Sequence, residues 1–132
     1  MPLPTPDPPI VFIIDHDLAV LSALAFAFEA EGFRTCAFRS TARADSSADL
    51  KSAACIILDH DLPGESGLDY LGRLRREGRA KPAVLIPSDP PLHLRLEALD
   101  MGVPIVEKPL LDDALFQAVR TLVRRPLVLT RL

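Results

Sequence analysis

The tetrapeptide Asp-His-Asp-Leu occurs twice, at residues 15–18 and 59–62. Each copy follows a short apolar run, Val-Phe-Ile-Ile at 11–14 and Cys-Ile-Ile-Leu at 55–58. Crowded carboxylates repel one another and disturb each other's protonation. The usual resolution is a hard divalent cation held by oxygen ligands. Lys108 follows another apolar run, 103–107. A cation and an ammonium together neutralise the oxygens of a phosphoryl group, and a carboxylate beside them can attack phosphorus. Asp59 is the best nucleophile candidate, because it ends a buried run and precedes a turn at Pro63 and Gly64. His16 and His60 offer a different chemistry, a transition-metal site completed by Asp15 and Asp59. The third reading is bland: two loops with solvated histidines.

The elements that must position these residues alternate along the chain. Runs at 10–14, 33–38, 54–58, 82–86 and 103–107 read as strands, most of them buried on both faces. Segments 18–31, 41–51, 68–77, 92–101 and 112–124 read as helices, with Asp17 an N-cap and Gly32, Gly78 and Gly102 at C-termini. Residues 41–51 are the weakest of these, a polar helix after Ser40. Such alternation demands a parallel sheet covered by helices on both faces. Crossovers are right-handed, so the strands' carboxyl ends share one edge, where ligands bind. Both Asp-His-Asp copies and Lys108 fall at that edge.

The bulk numbers agree with one globular domain. The chain has 132 residues, 48% hydrophobic and 25% charged, with a net charge of −3. Nothing in that balance suggests direct nucleic-acid binding. Residues 1–9 form a Pro-rich extended lead-in, 10–124 the domain, and 125–132 a tail. The lead-in lacks the pattern of a signal peptide, and the apolar stretch 18–33 is too short to span a bilayer. A cytoplasmic protein without a membrane partner is expected, with Cys36 and Cys55 as reduced core residues.

At 57–71, Ile-Leu-Asp-His-Asp-Leu-Pro-Gly-Glu-Ser-Gly-Leu-Asp-Tyr-Leu resembles the phospho-acceptor segment of the response regulator receiver domain of two-component signalling. The acidic end of the first run and Lys108-Pro109 after the last resemble the family's two other motifs. The likeness covers about residues 10–124. It implies a flavodoxin-like (βα)5 doubly wound parallel sheet, order 2-1-3-4-5, in a bacterial phosphorelay protein that is not an enzyme. It also implies that Asp59 accepts a phosphoryl group from a sensor histidine kinase or phosphotransfer protein. Asp15 would lie in the acidic pocket near Mg²⁺, the backbone carbonyl of Asp61 would be a metal ligand, and Lys108 would contact the phosphoryl group.

Three positions depart from the family pattern. His16 stands where a second acid binds Mg²⁺ directly, which implies weakened Mg²⁺ binding or a transition metal. Pro87 stands where a Thr or Ser hydroxyl binds the phosphoryl group, and Ser88 comes one residue late. Ile105 stands at the switch aromatic. A divergent receiver with a blunted phosphorylation switch is expected, acting through protein contacts. A phosphorylation-independent adaptor is the alternative. A haloacid-dehalogenase-like phosphohydrolase built on Asp15 and Asp17 is a weaker one, since Ala19 replaces that family's hydroxyl residue. The 92–124 face is a candidate homodimer surface, with Leu92, Leu96 and Leu99 expected mainly in the core and Leu94 and Met101 extending onto that face. Arg73, Arg75, Arg76 and Arg79 read as a solvated basic helix end.

Overall fold

The computed structural model describes residues 7–124. The expectations for the lead-in before residue 7 and for the tail at 125–132 lie outside the described residues. Strand β1 (Ile10–Ile14) and strand β3 (Ala53–Leu58) form the centre of the sheet. Strand β2 (Arg34–Phe38) flanks β1, and strand β4 (Ala83–Leu85) flanks β3, all parallel, in order 2-1-3-4.

The pleat divides the central side chains between two cores. Phe12, Ile14, Ile56, Leu58 and Leu85 face one side, and Val11, Ile13, Ile57, Val84 and Ile86 the other. Burying each such side chain contributes about 2 kcal/mol, and the central strands supply side chains to both cores. Helices α1 (Leu18–Ala30) and α5 (Ala114–Val123) cover the second face. Phe28 of α1 stacks on Phe116 of α5 with centroids 4.5 Å apart. Helices α2 (Thr41–Asp45), α3 (Gly67–Arg76) and α4 (Leu92–Asp100) cover the first.

Three expectations need correction. The helix read over 41–51 breaks into α2 and a 3-10 turn, Ala48–Ser52. Ser46 and Ser47 cause the break: Ser46 closes α2, and the Ser47 hydroxyl caps the turn by accepting from the Asp49 N–H. The fifth strand is reduced to two isolated bridges to the β4 segment, Leu85 with Ile105 and Ser88 with Lys108. Leu85 N–H donates to Pro104, Val106 N–H to Leu85 and Lys108 N–H to Pro87. The next rung would need a donor at residue 87. Proline has none, so the ladder is interrupted there. The segment still occupies the fifth place, beside β4.

The third correction concerns α4. Leu94 and Ala98 are buried, whereas Leu92, Leu96 and Leu99 are exposed. The helix is rotated relative to the sequence reading, and a leucine stripe faces outward. Leu94→Ala is expected to cost about 2–3 kcal/mol. Leu96→Ala should stay within about 0.5 kcal/mol. Urea unfolding of the two variants checks this orientation; equal losses would contradict it.

Candidate functional site

The acidic edge is built by backbone continuation of the central strands. Asp15 N–H donates to Phe38 O at 3.1 Å, and Asp59 N–H donates to Ile14 O at 3.0 Å. Each aspartate thus prolongs a ladder by one rung and is held as rigidly as the strand before it. The Lys108 main chain is fixed in the same way, its N–H donating to Pro87 O at 2.9 Å. The three side chains meet. Lys108 Nζ donates to Asp15 Oδ2 at 2.6 Å and lies 3.3 Å from Asp59 Oδ2. Asp15 and Asp59 are both buried.

The remaining oxygens are partly claimed. Asp15 Oδ1 accepts from the Asp17 N–H, and Asp59 Oδ1 from the His60 N–H. Burial pushes the Lys108 ammonium toward losing its proton. The hydrogen bond to Asp15 and the charges of Asp59 and Asp15 outweigh it, so its pKa is raised above the ordinary lysine value. The stability this carries is complete below that ordinary value and is lost as pH rises through the raised one. Two buried carboxylates against one ammonium leave the pocket with a net negative charge, which attracts a cation.

His16 is exposed and stands over this pair. Its Nδ1 lies 3.8 Å from Asp15 Oδ1 and 3.8 Å from Asp59 Oδ2, too far for a hydrogen bond with either. Asp15, His16 and Asp59 each offer one ligand atom within 4.8 Å of the others. His60 and Asp61 do not join that cluster. A transition-metal site completed by both histidines is therefore not assembled. The Asp61 side chain is exposed. Asp17 caps α1, its Oδ1 accepting from the Ala19 N–H.

Pro87 is buried and Ser88 exposed. Ile105 is half-buried against the core face that carries Leu94 and Ala98. The β4–α4 loop is stiffened by Pro87, Pro90 and Pro91, and Asp89 adopts φ +43°, a conformation costly for a residue before proline.

The sequence reading missed Arg39 and Arg73. Arg39 donates through Nε and a terminal nitrogen to His16 O, at 3.3 and 3.2 Å, and pins the β1–α1 loop. Arg73 is not a solvated basic end. Its guanidinium grips Glu65 of the 59–67 loop with Nε to Oε2 at 2.9 Å and NH2 to Oε1 at 3.0 Å. Nothing adjacent in sequence signals either contact.

The Arg73 hydrogen bonds hold the Glu65 carboxyl below its ordinary range against the opposing effect of burial, with help from Thr41. A lowered folded-state pKa stabilises at neutral pH, and that stabilisation is lost as pH falls through the lowered value. Glu65→Gln should cost about 1 kcal/mol at pH 7 and progressively less below about pH 4. A pH series of urea midpoints checks it; a deficit constant with pH would contradict it.

The model of the response regulator receiver domain matches residues 11–120. The chain belongs to that family. It is 30% identical over 117 residues to the transcriptional regulatory protein BasR of Escherichia coli K12, covering 87% of this chain and 52% of that one. It is 32% identical over 111 residues to the transcriptional regulatory protein FixJ of Azorhizobium caulinodans, covering 83% and 53%. The receiver thus spans about half the length of these curated relatives. The signal receiver domain of a putative Luxo repressor protein from Vibrio parahaemolyticus shares the fold at a TM-score of 0.81 and 19% identity, over 89% of this chain and 92% of that one. Receiver domains are signalling modules that bind Mg²⁺ at their acidic site and interact with histidine kinases or phosphotransfer proteins. The residues of this receiver fit a divalent cation, since Asp15 and Asp59 supply buried carboxylates and the pocket is anionic. His16 adds a nitrogen donor to that set. No helix among the described residues is long and apolar enough to cross a membrane.

Proposed function

We propose that this receiver accepts a phosphoryl group on Asp59 and passes the signal on through protein contacts, with a weakened conformational switch. One observation carries the reading: Lys108 Nζ bridges the buried carboxylates of Asp15 and Asp59. In this reading the ammonium would meet the charge that develops on a phosphoryl oxygen, and Asp59 would be the nucleophile. A divalent cation bound at the carboxylates would neutralise further phosphoryl charge. Asp15 and Asp59 are the side chains that would hold it, with the Asp61 carbonyl as a third ligand by family likeness.

The weakened switch follows from what a phosphoryl group would find at the β4–α4 loop. A ligand moves a two-state element only through contacts that differ between the states. Pro87 offers no hydroxyl, Ser88 is exposed, and Ile105 has no ring to reorient. The signal would then leave by constitutive surfaces. The outward stripe of Leu92, Leu96 and Leu99 on α4 is the strongest candidate, as a homodimer or partner face. The donor would be a histidine kinase or a phosphotransfer protein. Mass analysis after exposure to acetyl phosphate tests the acceptor. Amide exchange of 87–100 before and after phosphorylation tests the switch, and a large change there would contradict it.

A further inference from the structure

The 59–67 loop joins the phospho-acceptor to α3, and its inner end is tightly seated. The Gly67 and Leu62 N–H groups both donate to His60 O, at 2.9 and 3.0 Å. Gly67 packs so closely that a Cβ built on it would lie 2.3 Å from Asp59 O. Ser66 caps α3, accepting from the Asp69 N–H. The residue just before this seat is Glu65. Its Oε1 accepts from the Thr41 hydroxyl at 3.0 Å as well as from Arg73. Thr41 is buried at the start of α2. Arg73 lies on α3, where it also pairs with Asp45 at 3.3 Å and Glu77 at 3.6 Å and lies 5.2 Å from the centre of the Tyr70 ring. Arg79 joins the group through Asp45 at 2.9 Å and through Glu77. One carboxylate therefore ties the loop to two helices, and a bidentate guanidinium fixes its direction. In the outer part of the loop Asp61, Pro63 and Gly64 are exposed, while Leu62 between them is buried against the core and its N–H is one of the two bonded to His60 O.

We infer that Arg73, acting through Glu65, is a positioning residue for the phospho-acceptor loop: the Arg73–Glu65–Thr41 clasp holds residues 60–65 in the conformation that presents the Asp61 carbonyl to a divalent cation beside Asp59. The clasp touches neither the cation nor the phosphoryl group. It acts on metal binding by sparing the loop an ordering cost. The inference rests on the proposed function for the Asp61 role, but its test does not require phosphorylation.

The test is Mn²⁺ affinity of the full chain, followed by electron paramagnetic resonance of free Mn²⁺, for wild type, Arg73→Ala, Arg73→Lys, Glu65→Gln and Thr41→Val. Outer-shell partners of metal ligands are worth about 10–100-fold in affinity. Arg73→Ala and Glu65→Gln should each weaken Mn²⁺ about 10-fold and lower amide protection at Leu62 and Gly67. Arg73→Lys, which keeps the charge and loses the fork, should fall between. Arg75→Ala, a neighbouring exposed arginine, should leave affinity unchanged. If the Arg73 and Glu65 variants lose thermal stability yet keep wild-type Mn²⁺ affinity, the clasp is only structural and the inference falls. If wild type binds Mn²⁺ but takes no phosphoryl group, the proposed function fails while the clasp is still decided by the variants. If wild type binds no Mn²⁺ at all, the positioning role falls with it.

Discussion

Replacing Lys108 with methionine is expected to destabilise the folded protein by about 3 kcal/mol. The ammonium lies between two buried carboxylates, 2.6 Å from Asp15 and 3.3 Å from Asp59. Removing it leaves two like charges facing each other with little water to screen them. The loss comes from uncompensated burial more than from the lost pair. A second substitution tests that cause. Asp59→Asn removes one of the two charges, so Lys108→Met with Asp59→Asn should be more stable than Lys108→Met alone. Urea unfolding of the four proteins in the cycle measures the coupling. Additive losses would mean that Lys108 contributes through packing, and the electrostatic account of the pocket would be wrong.

Gly67→Ala should be nearly as damaging, about 3 kcal/mol. An added methyl meets Asp59 O at 2.3 Å, Leu85 Cδ1 at 3.0 Å and His60 Cα at 3.1 Å. Two of those neighbours belong to backbone that cannot yield without moving Asp59 itself. Gly72, five residues on in the same helix, is the matched control. The nearest atom to a Cβ there is the end of the Arg76 side chain, at 3.4 Å. Gly72→Ala should therefore stabilise by up to about 1 kcal/mol, the ordinary helix-propensity gain. Opposite signs at 67 and 72 would show that close approach to Asp59, not helix propensity, fixes glycine at 67. A neutral Gly67→Ala would contradict the seat described for the loop.

Much of this architecture is legible in the chain itself. The central strands announce themselves as continuous aliphatic runs, and each ends in the aspartate that its ladder holds. The Asp59-to-Gly67 segment carries the spacing of an acceptor loop, and Lys108 follows the last apolar run. What was misread has physical causes. Leu92, Leu94, Leu96 and Leu99 spread around α4, so sequence alone does not say which face is buried; packing against Val103 and the core chooses Leu94 and Ala98. The last strand reads well locally, but its ladder depends on a donor that Pro87, in the segment just after β4, does not have. Arg73 reads as a surface charge because its partners Glu65 and Asp45 lie 8 and 28 residues away. His16 is the reverse case. Its type is visible as a departure, but only the 3.8 Å distances show that it hovers above both carboxylates without bonding to either.

We propose that Asp59 accepts a phosphoryl group with His16, Pro87 and Ile105 in its surroundings. Intact mass of the full chain after incubation with acetyl phosphate, in Mg²⁺ and then in Mn²⁺, tests it most directly, with Asp59→Asn alongside. The account predicts a gain of one phosphoryl group in the wild-type protein that depends on the divalent cation and is absent from Asp59→Asn. No gain under either metal, in protein shown to be folded, would contradict it and leave a receiver that signals without phosphorylation.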